Sequence, residues 1–334
     1  PTSLGVDDLW AEPGQPGDRA ALLSAIDHSL AYLQTAKAAA DYQKYAVPGI
    51  SRDRVRRSLI RFRQLVASSR SAAELQAAVQ REFVFYQAIG KDNKGTVAFT
   101  GYFEPSYTAS RVRTAEYRYP LFRVPPNFAR WPKTQPTRAQ LEGNDGLQFA
   151  KGPLKGLELV WFRDRMEAFL IQVQGSARLQ MTDGSTMTVG FAGKTNHPYT
   201  GIGRELVKDG KMRLEDLTLP RLLEYFHQHP EDLDRYLPRN RSFVFFQETY
   251  GAAATGSLGV PVTAERSIAT DKSIMPPGAL ALIQTQLPKQ GAADKLEQRT
   301  VSRYVLDQDT GSAIKGPGRV DIFMGTGLKA GDRA

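Results

Sequence analysis

The strongest constraint on the fold is a change of texture at Gly95. Before it, apolar residues recur every three to four positions, the period of helices that bury one face. After it, short β-branched and aromatic runs are broken by Gly, Pro and Asn, which is how strands and their turns are written. In the first part, Asp18 is placed to cap a helix carrying Leu22, Ile26, Leu30 and Leu33. Val55, Leu59, Phe62 and Val66 repeat the stripe among arginines. Ser71-Ala-Ala-Glu74 has capping-box form and opens a third helix through Leu75, Val79, Phe83 and Tyr86, expected to end near Gly90. In the second part, segments 96–103, 157–162, 169–173 and 242–247 are expected as strands, with a hairpin turn at Thr182-Asp183-Gly184-Ser185. Helical signals return between about 198 and 238, and strands resume through 279–286 and 300–306. The Gly/Ala-rich stretch 251–259 reads as a loop, either a lid or a plain connection. The chain is therefore expected to be mainly β with N-terminal helices.

At 334 residues there is room for two domains, or one domain with an insertion, and for a full core. Lys plus Arg outnumber Asp plus Glu by 44 to 35. That excess suits an anionic partner such as nucleic acid, a membrane surface or an acidic polymer, and it equally suits plain solubility. Cysteine is absent, which removes disulfides, thiolate metal sites and thiol nucleophiles. Of the four histidines, His28, His197, His227 and His229, only the last two are close, and on a helix that i, i+2 spacing points them apart. No metal site and no cofactor are expected, and carboxylates remain as the chemistry. No apolar run approaches the ~20 residues of a membrane span. The start at Pro1 rather than Met leaves room for a targeting segment already removed.

The densest polar cluster runs from Asp307 through Gln308, Asp309 and Lys315 to Asp321 and Gly327. Val320, Ile322 and Phe323 place Asp321 within a short strand bracketed by glycines. A carboxylate in an apolar strand is costly unless it is paired or used, and desolvation would raise its pKa toward what a general acid needs. On composition alone Asp309 and Asp321 are equally readable as turn-capping residues of a Gly-rich region.

Other segments add weight. They are Thr100-Gly101-Tyr102-Phe103-Glu104-Pro105, Tyr119-Pro120-Leu121-Phe122-Arg123, Gln172-Val173-Gln174-Gly175-Ser176, Tyr199-Thr200-Gly201-Ile202-Gly203-Arg204, Asn240 to Phe246, and Arg266 to Asp271. Together with the C-terminal cluster they resemble the membrane-bound lytic murein transglycosylase A family, from about residue 99 to residue 331. The sequence departs from the family pattern at Phe103 and Phe243, where Tyr is common, at Ala177, where Gly is common, and at Thr195-Asn196-His197, which replaces an Asn-Gly pair.

The resemblance implies a double-psi β-barrel domain made of residues 1–105 and 248–334, a second small β-barrel inserted at 106–247, and a glycan groove between them. It implies cleavage of the β-1,4 bond between N-acetylmuramic acid and N-acetylglucosamine of peptidoglycan without water, leaving a 1,6-anhydro ring. Asp321 matches the catalytic acid, which would serve first as acid and then as base. Asp309 and Asp271 match supporting acids, and Thr100, Gly101, Tyr102, Gln172, Gln174, Ser176 and Lys315 would contact sugar. The last five could instead be ordinary strand residues or, for Lys315, a solvated cation. By the same analogy the protein is a monomer of the periplasm with glycan strands as its partner. It would be held at the outer membrane through a lipidated segment outside this chain. Two alternatives stay open: a hydrolase on a similar barrel with a second carboxylate facing Asp321, and a non-catalytic wall-binding module. A nucleic-acid partner is not expected, because the arginine-rich helix at 52–63 lacks interleaved aromatic residues.

Overall fold

The computed structural model describes residues 5–10, 17–45, 47–290 and 296–334; Pro1 lies outside them. Four helices come first: α1 (Arg19–Leu33), α2 (Ala36–Lys44), α3 (Arg52–Ser68) and α4 (Ala72–Glu82). Next are β1 (Ala98–Glu104), β2 (Ser106–Ala109), β3 (Tyr119–Phe122), α5 (Arg138–Glu142), β4 (Glu158–Phe162) and α6 (Arg165–Gln174). Then follow β5 (Ser176–Met181), β6 (Thr186–Lys194), α7 (Ile202–Lys208), α8 (Leu219–Gln228), α9 (Leu233–Tyr236) and β7 (Val244–Glu248). The chain closes with β8 (Ser267–Ala269), β9 (Leu280–Gln290), β10 (Leu296–Asp309), β11 (Arg319–Thr326) and α10 (Leu328–Arg333). It divides into two compact units, one of Pro1–Tyr102, Thr255–Gly325 and Arg333–Ala334, the other of Phe103–Ala254 and Thr326–Asp332. The mainly β composition with N-terminal helices is as expected.

In the first unit, the side chains of Thr35, Ser51 and Ser71 accept hydrogen bonds from the backbone of Ala38, Arg54 and Glu74, capping α2, α3 and α4. Each such cap contributes about 1 kcal/mol. Asp18 precedes α1 but makes no cap bond. Its carboxylate instead pairs with the buried Arg266, which also binds Asp7 and the carbonyl oxygen of Tyr304. The third expected helix is shorter than its stripe suggested. α4 stops at Glu82, and Val84, Phe85 and Tyr86 follow exposed and outside any helix. α2 was not anticipated, because its Ala-rich sequence carries no apolar stripe. Leu22, Ile26, Leu59, Phe62, Val66, Leu75 and Val79 form one core with Tyr304 and Leu306 of β10. The helices thus back one face of a five-stranded sheet ordered β1-β11-β8-β10-β9, which curls as a half-barrel. β8 is parallel to β10 and antiparallel to β11, and β9 and β10 form a long antiparallel pair.

The second unit holds a four-stranded sheet ordered β2-β5-β6-β7, a two-stranded sheet of β3 and β4, and helices α5 to α9. One expectation fails here. Residues 169–173 are not a strand but lie in α6. A short apolar run reads equally as strand or buried helix, and the deciding signals sit outside it. Asp164 caps the start by accepting from the backbone of Met166 at 2.7 Å, and Gly175 ends the helix in the left-handed region at φ +86°. Among the described residues no helix is long and apolar enough to cross a membrane.

Candidate active site

Asp321 lies on β11 between β1 and β8, opposite Ala269 of β8. Thr100 Oγ1 of β1 donates to Asp321 Oδ1 at 2.8 Å. Two residues further along both strands, the rings of Tyr102 and Phe323 meet at 5.2 Å between centroids. Residue numbers therefore rise together along β1 and β11, and Thr100, Tyr102, Asp321 and Phe323 share one face. Tyr102 then reaches across to β10, where its hydroxyl donates to Asp309 Oδ2 at 2.9 Å. The other oxygen of Asp309 accepts from the backbone N–H groups of Ser257 and Thr310, each at 2.8 Å. Gly256 makes that approach feasible, since a Cβ there would lie 2.5 Å from the carbonyl oxygen of Gln308.

Asp309 owes its position to a bulge. Asp307 pairs with Ile268 and Asp309 with Ala269, so the register slips by one at Gln308. Gln308 is buried and bonds Ser267 Oγ at 2.6 Å and the carbonyl oxygen of Ala25 at 2.7 Å, which holds the bulge in place. Asp307, also buried, accepts from Thr270 Oγ1 at 2.8 Å and forms an ion pair with Lys272. Asp271 accepts from the backbone and hydroxyl of Ser273 and from the backbone of Gly316 at 2.9 Å, which ties down the loop leading into β11.

These contacts sort the carboxyls by proton affinity. Burial pushes Asp321 up to about 6, opposed by Thr100 and the charge of Arg319 and assisted by Asp309. Burial also raises Asp309 above the usual carboxylate range, against the pull of Ser257, Thr310 and Tyr102. Asp307 is raised as well, by burial first, with Lys272 and Thr270 working in opposition. Burial acts in the same direction on Asp271, but the Gly316 and Ser273 donors outweigh it and its pKa is lowered. Tyr102 is raised far above its ordinary value, by burial and then by Asp309, so its hydroxyl stays protonated and donates. Asp321, partly exposed as Asp309 is, has a single side-chain donor from the protein among the described residues. A carboxyl so placed can give and take a proton near neutral pH.

The sequence-derived residues fall into two sets. Thr100, Tyr102, Asp309 and Asp321 come together in the first unit. Gly101 lies between them on β1, where a Cβ would stand 2.6 Å from Ala334 Cα and 2.8 Å from Met324 Cγ, so close packing requires glycine there. Asp271 belongs to the same unit, and Lys315 is exposed with its charge acting on Asp271. Gln172, Gln174 and Ser176 belong to the second unit. Gln172 is buried on α6, where its side-chain oxygen accepts from Arg138 at 2.7 Å and from the backbone of Val244 at 3.2 Å. Gln174 accepts from the backbone of Phe103 at 3.1 Å, and Ser176 opens β5 opposite Gly190. Sequence reasoning gave no role to Asp307, Lys272, Ser257 or Arg319. For Arg319 a signal was available, because it precedes Asp321 by two in a strand and so shares its face.

Residues 98–247 match the model of the MltA specific insert domain, and residues 266–334 match that of the 3D domain. Membrane-bound lytic murein transglycosylase A of Escherichia coli (strain K12) is 34 % identical over 251 residues, 75 % of this chain and 65 % of that protein, so the chain spans just under two thirds of that relative. The homologue of Buchnera aphidicola subsp. Schizaphis graminum (strain Sg) is 31 % identical over 267 residues, 78 % of this chain and 69 % of its own length. The chain belongs to the membrane-bound lytic murein transglycosylase A family. A crystal structure of E. coli MltA with bound chitohexaose matches it with a TM-score of 0.72 at 27 % identity, covering 99 % of this chain and 90 % of that one. In this family member Thr100 to Tyr102, Gln172, Gln174 and Ser176 fall within the insert-domain match, and Asp271, Asp309, Lys315 and Asp321 within the 3D-domain match.

Proposed function

We propose that this chain is a lytic transglycosylase that cleaves the β-1,4 bond between N-acetylmuramic acid and N-acetylglucosamine in peptidoglycan, with Asp321 as its one acid/base. The observation that carries the reading is the contrast among the carboxyls. Among the described residues Asp309, Asp307 and Asp271 are each held by two or three protein donors, whereas Asp321 has one and is pushed up to about 6. As the acid it protonates the leaving glycosidic oxygen. As the resulting carboxylate it takes the proton from the muramic C6 hydroxyl, which attacks C1 and closes the 1,6-anhydro ring. Atoms balance without water, and a second carboxyl is not required as it is in hydrolysis. The intramolecular nucleophile removes part of the entropic barrier, by as much as ~7–11 kcal/mol for a well-aligned pair.

Asp309 supports Asp321 through its field and through Tyr102, and Asp271 supports it by holding the loop before β11. Thr100, Tyr102 and Lys315 in the first unit and Gln174 and Ser176 in the second are the sugar-contacting candidates, while Gly101 allows the close packing of β1 and Gln172 is held on α6 by Arg138. In this reading residues 1–105 and 248–334 form the catalytic domain and 106–247 the insert. The protein acts as a periplasmic monomer on glycan strands, outer-membrane-associated in its longer form, and requires no cofactor. Digestion of purified sacculi followed by mass spectrometry tests the reaction. The expected products carry 1,6-anhydromuramic ends, each lighter by one water than a reducing end, and Asp321→Asn yields none. Reducing ends from the wild-type chain would overturn the assignment in favour of hydrolysis.

A further inference from the structure

Arg319 opens β11 two residues before Asp321, and the alternation of a strand puts both side chains on the same face. The pairing of Thr100 with Asp321 and of Tyr102 with Phe323, counted back by two, sets Ala98 of β1 beside Arg319. The backbone ladder agrees, since the N–H of Ala98 donates to the carbonyl oxygen of Gly318 at 2.8 Å. β1 therefore offers only a methyl group at this level. Nε of Arg319 is buried and has no hydrogen-bond partner among the described residues. Leaving such a donor unmatched is costly, and native proteins hold few of them.

We propose that Arg319 binds an acyl oxygen of the glycan, the acetamido or lactyl carbonyl of the N-acetylmuramic acid unit whose glycosidic bond Asp321 protonates. The inference rests on the glycan reading of the Asp321 site. Two residues of strand separate the two Cα atoms by about 7 Å. A guanidinium at that remove meets a substituent of the sugar rather than the glycosidic oxygen itself. Its planar fork can donate two N–H groups toward one acyl group, a geometry that Lys cannot supply. A site with a buried donor aimed at a substituent discriminates strongly against sugars that lack it, because the donor is then left unpaired.

Calorimetric titration in an Asp321→Asn background, where cleavage is silenced, tests the assignment with two ligands: chitohexaose, and an oligosaccharide of alternating N-acetylglucosamine and N-acetylmuramic acid. Arg319→Met is expected to weaken binding by about ten- to a hundred-fold, the range that one unmatched donor allows. Arg319→Lys should recover only part of it. A loss with both ligands assigns the acetamido carbonyl, and a loss confined to the muramic ligand assigns the lactyl carbonyl. Without ligand, Arg319→Met should melt at the parent temperature or above, since it removes an unsatisfied donor, whereas a guanidinium with a merely structural role would lower it. Unchanged affinity for both ligands overturns the role of Arg319 and leaves the glycan reading standing. Failure of the Asp321→Asn parent to bind either ligand overturns both.

Discussion

Replacing Asp321 with Asn should stabilise the protein, and by an amount that depends on pH in one direction. Burial pushes the native carboxyl up to about 6 from an ordinary value of 3.8. Between those two values the native state holds a proton that the unfolded state has released. Stability associated with Asp321 is thus fully present below pH 3.8 and is lost as the pH rises through 6. The full shift corresponds to about 3 kcal/mol, and partial exposure of the side chain reduces this to about 2 kcal/mol. Asn keeps the shape and the Thr100 contact without the charge. Melting curves of both chains from pH 4 to pH 8 should therefore coincide at the acid end and separate with rising pH, the variant ending about 3 °C higher. Comparing the two chains at each pH cancels the titration of Asp307, Asp309 and Glu167, whose carboxyls burial also raises. A pH-independent gap, or a variant less stable at pH 8, would refute the claim that desolvation sets the Asp321 proton.

On the proposed reaction, kcat/KM should fall about tenfold per pH unit above pH 6 as Asp321 loses the proton it must donate, and a flat profile to pH 8 would exclude it as the acid. Tyr102→Phe removes one donor from Asp309 and should lower turnover by about tenfold with little change in KM, measured by release of soluble muropeptides. Gly256→Ala places a Cβ 2.5 Å from the carbonyl oxygen of Gln308 and should displace the Ser257 contact to Asp309, with an activity loss that exceeds its effect on melting temperature. Arg138→Met strips the buried donor from Glu142, Gln172 and the carbonyl oxygens of Asn240 and Ser242. Its cost should be about 3–5 kcal/mol by denaturant titration, and a near-neutral result would show that the hub is dispensable.

The parts of the fold that were legible share one property: their determinants are local. The stripes of α1 and α3, the cap Ser71, and the alternation that sets Asp321 in a strand are all readable within a few residues. Arg266 shows the opposite case. Its partners Asp7 and Asp18 lie 259 and 248 residues away, so nothing nearby in sequence announces that Asp18 serves an ion pair rather than a helix cap. Residues 169–173 misled for a related reason, since only Asp164 and Gly175 outside the run disclose a helix. In the site, the expectation of carboxylate chemistry came from the lack of Cys and the scarcity of His, but the division of proton affinities among the aspartates was not legible. That division depends on which carboxyl the bulge at Gln308 turns toward Ser257 and Tyr102, and a bulge leaves no period in the sequence.

Two polar groups with few protein partners sit two residues apart on one strand of this sheet. Among the described residues Asp321 has one protein donor, and Arg319 has a buried N–H with none. Elsewhere in the same unit charge is matched closely, as at Arg266 with its two aspartates and at Arg303 with Asp8 and Glu265. Within that unit the contrast with Arg266 and Arg303 sets the Arg319 N–H apart. The deficit on Asp321 keeps its proton exchangeable near neutral pH, since each added donor to the carboxylate would drive the pKa down, as it does at Asp271. The charge of Arg319 limits the rise without quenching it. On the proposed reaction this balance keeps both forms of Asp321 accessible, because an acid that must also act as a base can let neither form win by a wide margin.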